Sequence, residues 1–350
     1  MLRLEWRGAA PEPGIDPTGR GVWRYRPLLP TVGASSIVTL GEGATPIVWI
    51  GRWAAAHRLD RVGVKLEYLN PTGSFKDRGM TVLVSHACSL GLGRLIEDSS
   101  GNAGASVAAY AARAGLEVTI YVPSGAPAAK RAQIARVGAT VVPIEGSRQA
   151  VTQAALAEVA HSGAYYAGHN ANPFFVAGMT TFAYELIEEL AGSPPRHLVI
   201  PTGGGSLCVG CFDGFRRWFG EAEGERRCPK IHAIQSSACA PLVAAFERGL
   251  DRVPPIARRK TIAGGIEVER PPRDHEILQA IRRTEGSAVA VDDAEILSQR
   301  RLLAETEGID VEPTTAAAFA GLARLAKTGV IAPDELVIVA ATGAGWKDPG

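Results

Sequence analysis

Lys76 lies in the run Asn70-Pro-Thr-Gly-Ser-Phe-Lys-Asp-Arg-Gly79. The strand-like residues Val62, Val64 and Leu66 lead into a breaker cluster, Asn70–Gly73, and Ser74 stands where a helix N-cap is expected. Phe75–Arg78 then opens a helix. Asp77 suits the first turn of a helix, whose dipole favours anions, but Lys76 does not. An amine in that place reads as a nucleophile whose pKa is lowered by burial or nearby positive charge. A solvated surface lysine is the ordinary alternative.

Three further stretches stand at the C-terminal ends of expected strands, where open α/β sheets bind ligands. Ser99-Ser100-Gly101-Asn102-Ala103 follows a strand and starts a helix, so its backbone N–H groups can face an anion or simply close a tight turn. Thr202-Gly203-Gly204-Gly205-Ser206 has the glycines that let backbone approach a phosphate, and a helix start that adds partial positive charge. A dinucleotide site, and with it a nicotinamide-dependent dehydrogenase, is the rival reading. The third glycine of G-x-G-x-x-G would then fall at Cys208, and no Walker lysine follows, so a cradle for one phosphate monoester fits better. Thr342-Gly-Ala-Gly-Trp-Lys-Asp348 ends the last strand, either as a plain turn or as a hydroxyl placed at a site.

The elements that position these stretches alternate regularly. Helices are expected at about 75–90, 101–114, 128–137, 147–162, 176–190, 207–219, 241–248, 273–284, 292–306 and 314–327. Strands are expected at about 94–98, 116–122, 140–144, 196–201, 230–235 and 335–341. That rhythm predicts an α/β fold of two open, largely parallel sheets with helices on both faces. Residues 1–40 read as an arm docked through Trp23, Tyr25, Leu28 and Leu29. A smaller mobile α/β lobe, 80–177, is expected within a larger cofactor-binding domain of residues 1–79 and 178–350.

Composition narrows the function classes. The chain has 350 residues, is 46% hydrophobic and 21% charged, and carries a net charge of +1. A packed core is expected, and no charge excess argues for nucleic-acid or membrane partners. The first residues lack the apolar run of a leader, and no apolar stretch reaches membrane-spanning length. Five cysteines in a chain this long suggest reduced thiols in a cytoplasmic protein. Cys208 and Cys211 have neither a second pair nor spaced histidines, so no metal site is expected.

The lysine segment closely resembles that of the threonine synthase-like branch of pyridoxal phosphate (PLP) enzymes, which share the tryptophan-synthase β-subunit fold (fold type II). Leu40-Gly-Glu-Gly-Ala-Thr-Pro-Ile-Val48 resembles another segment of that family, and the resemblance runs over about residues 20–348. It implies a Schiff base between Lys76 and PLP, with Asn102 on the phenolic oxygen and Gly203, Gly204, Gly205 and Ser206 around the phosphate. It further implies Thr342 at the pyridine nitrogen and the Ser99, Ser100, Gly101, Ala103 loop at the substrate carboxylate. The family often has Thr where Ala103 stands, so one hydroxyl is missing there. A small amino-acid substrate and a homodimer are also implied.

The chain departs from the family where authentic threonine synthases bind the substrate's own phosphate. Phe175 replaces an arginine in Asn172-Pro-Phe-Phe-Val-Ala-Gly-Met-Thr180, Thr180 replaces a lysine, and Glu267 replaces an arginine after Thr261-Ile-Ala-Gly-Gly-Ile266. Each arginine lost removes charge-assisted contacts of roughly 1.5–3 kcal/mol. The expectation is therefore a PLP-dependent lyase or synthase that eliminates or replaces a group at Cβ or Cγ of a small amino acid. Phe174, Phe175 and Met179 then either line an apolar pocket or belong to the core. His169 is read as an assistant in proton transfer or as a structural loop residue. The alternative is an authentic threonine synthase converting O-phosphohomoserine to threonine and phosphate.

Overall fold

The computed structural model describes residues 4 and 15–347. Among them are ten strands: β1 (Ile47–Trp49), β2 (Val62–Lys65), β3 (Arg94–Glu97), β4 (Glu117–Pro123), β5 (Thr140–Ile144), β6 (Tyr165–Tyr166), β7 (His197–Pro201), β8 (Lys230–Ser236), β9 (Ser287–Val291) and β10 (Val337–Ala340). They form two sheets, ordered β5-β4-β3-β6 and β1-β2-β10-β7-β8-β9. Every pairing is parallel except that of the short edge strand β1 with β2. The expected α/β class is the observed one.

The chain divides into two compact units. One takes Asn70–Met179 and the described part of Met1–Gly43; the other takes Ala44–Leu69 and Thr180 onward. This grouping differs from the lobe boundaries expected from sequence, which put the arm and residues 70–79 with the larger domain. The reason is physical. The indole of Trp23 donates to Thr81 Oγ1 at 2.8 Å, and that hydroxyl donates to the Val38 carbonyl at 2.6 Å. Val22, Trp23, Leu29 and Val32 share one buried cluster with Val82. Trp23, Tyr25, Leu28 and Leu29 are all buried.

In the four-stranded unit, β4 alternates buried and half-exposed residues. The helix Asn102–Ala114 packs small residues inward and stops at Gly115, whose φ of 70° closes a left-handed C-cap. In the six-stranded unit, β2, β7 and β10 are buried along their whole length, as strands covered on both faces are. The helix Pro313–Lys327 is buried almost throughout and centres the larger core with Trp53, Val199, Ile234 and Val339. β9 was not foreseen: Ser-Ala-Val-Ala-Val is short and weakly periodic, and its start is set by the preceding turn at Glu285, φ 52°.

Candidate active site

Lys76 is the first residue of the helix Lys76–Ser89. Ser74 does not cap that helix. Its hydroxyl is buried without a hydrogen-bond partner among the described residues. The buried Asp77 carboxylate organises the turn instead, accepting from Thr72 N at 2.7 Å, Thr72 Oγ1 at 2.6 Å and Ser106 Oγ at 2.6 Å. The lysine turn is thus fastened to the helix that starts at Asn102. Lys76 Nζ stands 4.6 Å from the Phe75 ring centroid and 5.5 Å from that of Phe175. Both distances allow a cation–π attraction.

Phe175 reaches that place because its helix begins early. The expected helix at 176–190 runs Pro173–Glu189. Pro173 opens it, and the Asn172 side chain accepts from Phe174 N at 3.0 Å and donates to Tyr165 at 2.7 Å. Of the three residues read as pocket or core, Phe174 stacks on His86 at 3.4 Å and packs against the arm cluster. Met179 is fully buried against Gly79. Phe175, also fully buried, touches the lysine side.

The Ser99–Ala103 loop leaves β3 and enters the helix Asn102–Ala114 through Gly101. Gly101 N donates to Ser99 Oγ at 3.3 Å. Gly104 has no room for a side chain, since a Cβ would lie 1.9 Å from the Ser99 carbonyl oxygen. Ser99, Ser100, Gly101 and Asn102 are half-buried, while the Ala103 methyl belongs to the core. The first-turn amides of this helix are the groups that suit an anion.

Two acids behind the loop escaped the sequence reading. Glu97 is fully buried at the end of β3 and accepts from His169 N at 3.3 Å, with His169 Nδ1 at 3.2 Å from its other oxygen. Burial, then the neighbouring Asp98 charge, holds the Glu97 carboxyl well above the usual carboxylate range. Burial, then the Lys76 charge, pushes His169 well below its usual value. Asp98 is held by Thr152, Tyr166 and Arg148. The available signal was a carboxylate closing an apolar parallel strand.

In the six-stranded unit, β7 delivers Thr202, whose amide donates to Ile234 O at 2.8 Å. Gly203 backs onto the chain at 265–268, and a Cβ there would lie 2.7 Å from Gly265 O. Gly204 is half-buried. Gly205 has a φ of 79°, and a Cβ on it would lie 2.1 Å from Ile277 Cδ1. Ser206 starts the helix Ser206–Phe219. Such a turn, with glycines where only glycine fits and a helix N-terminus after it, suits a phosphate monoester.

Thr342 follows β10, the parallel neighbour of β7, so both loops leave the same end of the sheet. Its hydroxyl lies 3.0 Å from Thr315 Oγ1. Asp348 lies outside the described residues. Glu267 is neutralised: Arg258 Nη2 lies 2.7 Å away, and Thr261 N donates to it at 3.3 Å. The repulsion expected of that acid toward a phosphate is therefore offset by a cation the sequence reading did not connect to it.

Parallel strands that end in a glycine-rich turn and a helix N-terminus are where open α/β sheets bind ligands. Residues 38–343 match the family model described as "Pyridoxal-phosphate dependent enzyme", and the chain belongs to that family. Among its relatives is the threonine synthase of Methanocaldococcus jannaschii, 37% identical over 94% of this chain and 81% of that protein. The threonine synthase of Mycobacterium leprae is 33% identical over 97% of this chain and 90% of that one. Among solved structures, the processed form of threonine deaminase isoform 2 from Solanum lycopersicum superposes with a TM-score of 0.74 at 20% identity. It covers 97% of this chain and 90% of that one, a likeness of fold. The enzyme is pyridoxal-phosphate dependent. No helix among the described residues is long and apolar enough to cross a membrane.

Proposed function

We propose that this enzyme is a threonine synthase-like lyase or synthase that eliminates or replaces a group at Cβ or Cγ of a small amino acid. Lys76 is its Schiff-base lysine. The observation that carries the reading is Lys76 at the head of its helix with its amine over the uncharged ring of Phe175, the position of an arginine in the phosphate-recognising family segment. PLP, when bound, supplies the electron sink that makes a Cα proton removable. Gly203, Gly204, Gly205 and Ser206 hold its phosphate, Asn102 its phenolic oxygen and Thr342 its ring nitrogen. A threonine hydroxyl is a weaker partner for that nitrogen than a carboxylate, so the sink is the poorer one. Ser99, Ser100, Gly101 and Ala103 bind the substrate carboxylate through backbone amides, and Phe175 shields the amine of Lys76, which moves the Cα proton.

One observation favours a second reading, an authentic threonine synthase. Arg258, paired with Glu267 beside the segment that backs Gly203, returns a cation. Phosphate release from O-phosphohomoserine with threonine formed decides for it. A homodimer, a cytoplasmic location and a mobile lobe at 80–177 complete the proposal. The test is the visible band of the purified protein and its borohydride-trapped lysine linkage. Both are expected in the natural chain and absent in Lys76→Ala; a trapped linkage at another lysine overturns the assignment. Family membership sets the nicotinamide alternative aside.

A further inference from the structure

Glu97 and His169 are joined twice, through the backbone amide and through Nδ1. The imidazole meets the edge of the Phe175 ring, with centroids 5.6 Å apart and planes at 68°. The same ring carries Lys76 Nζ at 5.5 Å. One buried aromatic therefore has an amine and an imidazole against it, and the imidazole is backed by a carboxylate that is fully buried. Burying a carboxylate is costly, and a structural cap for a loop amide does not need one. The charged and titratable groups around the pair are Lys76, Asp98 and Arg148, with Tyr166 bonded to Asp98.

We propose that Glu97 and His169 form a proton-exchanging pair for the nitrogen of Lys76. This rests on the assignment of Lys76 made above. In one state His169 Nδ1–H donates to the Glu97 carboxylate and Nε2 is the basic atom. A proton leaving the Lys76 ammonium adds at Nε2 through a bridging water, and the Nδ1 proton passes to Glu97. One N–H bond breaks at Lys76, one forms at Nε2, and the N–H at Nδ1 becomes an O–H on Glu97. An ammonium and a carboxylate are exchanged for an amine and a carboxylic acid. Low dielectric favours that direction, and the raised proton affinity of Glu97 and lowered affinity of His169 agree with it. The reverse transfer recharges Lys76, and no other reactant is consumed. His169 and Glu97 act through Lys76 and are positioning residues.

The test uses the full chain loaded with PLP and needs no substrate. The visible band is titrated from about pH 6 to 9 in the natural protein, His169→Asn and Glu97→Gln, with the borohydride-trapped linkage measured in each. Glu97→Gln removes the anion that favours a protonated Lys76 nitrogen, and His169→Asn breaks the link to it. The midpoint is expected to fall by about one unit in both variants, with the linkage retained. A merely structural role would alter band intensity without moving the midpoint. Midpoints unchanged in both variants, or a band that titrates in none of the three proteins, overturns the pair. Absence of a trapped linkage in the natural chain overturns the Lys76 assignment first and this inference with it. Should His169→Asn fail to fold, the near-isosteric Glu97→Gln decides.

Discussion

Gly178 faces the carbonyl of Arg78 with no space between them: a Cβ on Gly178 would lie 2.1 Å from that oxygen. One helical turn away, a Cβ on Gly79 would lie 2.6 Å from the Phe175 ring. The two glycines let the helix that starts at Lys76 and the helix that starts at Pro173 touch backbone to backbone. That contact lays Phe175 beneath the lysine. Gly178→Ala must push the helices apart and is expected to cost about 3 kcal/mol. Urea denaturation at neutral pH measures it, and an unchanged midpoint would refute the close backbone crossing.

Asp77 fastens the lysine turn with three accepted hydrogen bonds. Asp77→Asn replaces a charge by an amide that cannot accept at both atoms. A loss of about 2 kcal/mol is expected, since bonds to a charged group are worth roughly 1.5–3 kcal/mol. The visible band of the loaded enzyme should weaken with it. A variant as stable as the natural chain would mean that Thr72 and Ser106 find other acceptors.

Gly205→Ala tests the cradle. The position is left-handed, at φ 79°, and its Cβ direction is filled by Ile277. Left-handed backbone alone costs a non-glycine residue about 1–2 kcal/mol. Pyridoxal phosphate affinity is therefore expected to fall about tenfold or more in an equilibrium titration, while pyridoxal lacking the phosphate should lose less. Equal losses for both ligands would remove the phosphate from this loop.

Stability should fall on acidification below about pH 6.5. His197 Nδ1 and His232 Nε2 are 2.9 Å apart, and His197 Nε2 is 2.9 Å from Glu335. Burial, then the His197 charge, pushes His232 down to about 3, and burial lowers His197 against the opposing pull of Glu335. Folded histidines that bind protons more weakly than unfolded ones take stability away as pH falls, at about 1.4 kcal/mol per unit for each histidine. Glu97 has the opposite sign: its raised value costs stability as pH rises above the ordinary glutamate range. His169, His197 and His232 outweigh that one carboxyl. Denaturation curves at about pH 7, 6 and 5 check the slope, which should flatten in His232→Gln. A natural chain equally stable at all three would refute it.

The parallel sheets and the cofactor were legible because they rest on local patterns: glycine after an apolar strand, and a ten-residue lysine segment. Features that depend on distant contacts were not. The helix expected from 176 starts at Pro173, because the Asn172 side chain accepts from Phe174 N and makes the proline a beginning. The packing of the arm was not legible because the bond from Trp23 to Thr81 spans 58 residues and has no local signature. Glu97 and Glu267 looked like a strand terminus and a repulsive acid. Only the fold supplies His169 to the first and Arg258 to the second.

The paired hydroxyls of Thr315 and Thr342 have one more consequence. Thr315 Oγ1 accepts from Gly343 N at 3.0 Å and can give its single hydrogen either to Thr342 Oγ1 at 3.0 Å or to Gly343 O at 3.3 Å. If it gives to Thr342, the hydrogen on Thr342 is released to point outward, and that hydroxyl greets a bare nitrogen. If it gives to the carbonyl, Thr342 must turn its own hydrogen inward and presents only lone pairs, greeting a nitrogen that already carries a proton. A heterocycle resting there would meet a donor or an acceptor according to how the two hydroxyls turn about their C–O bonds.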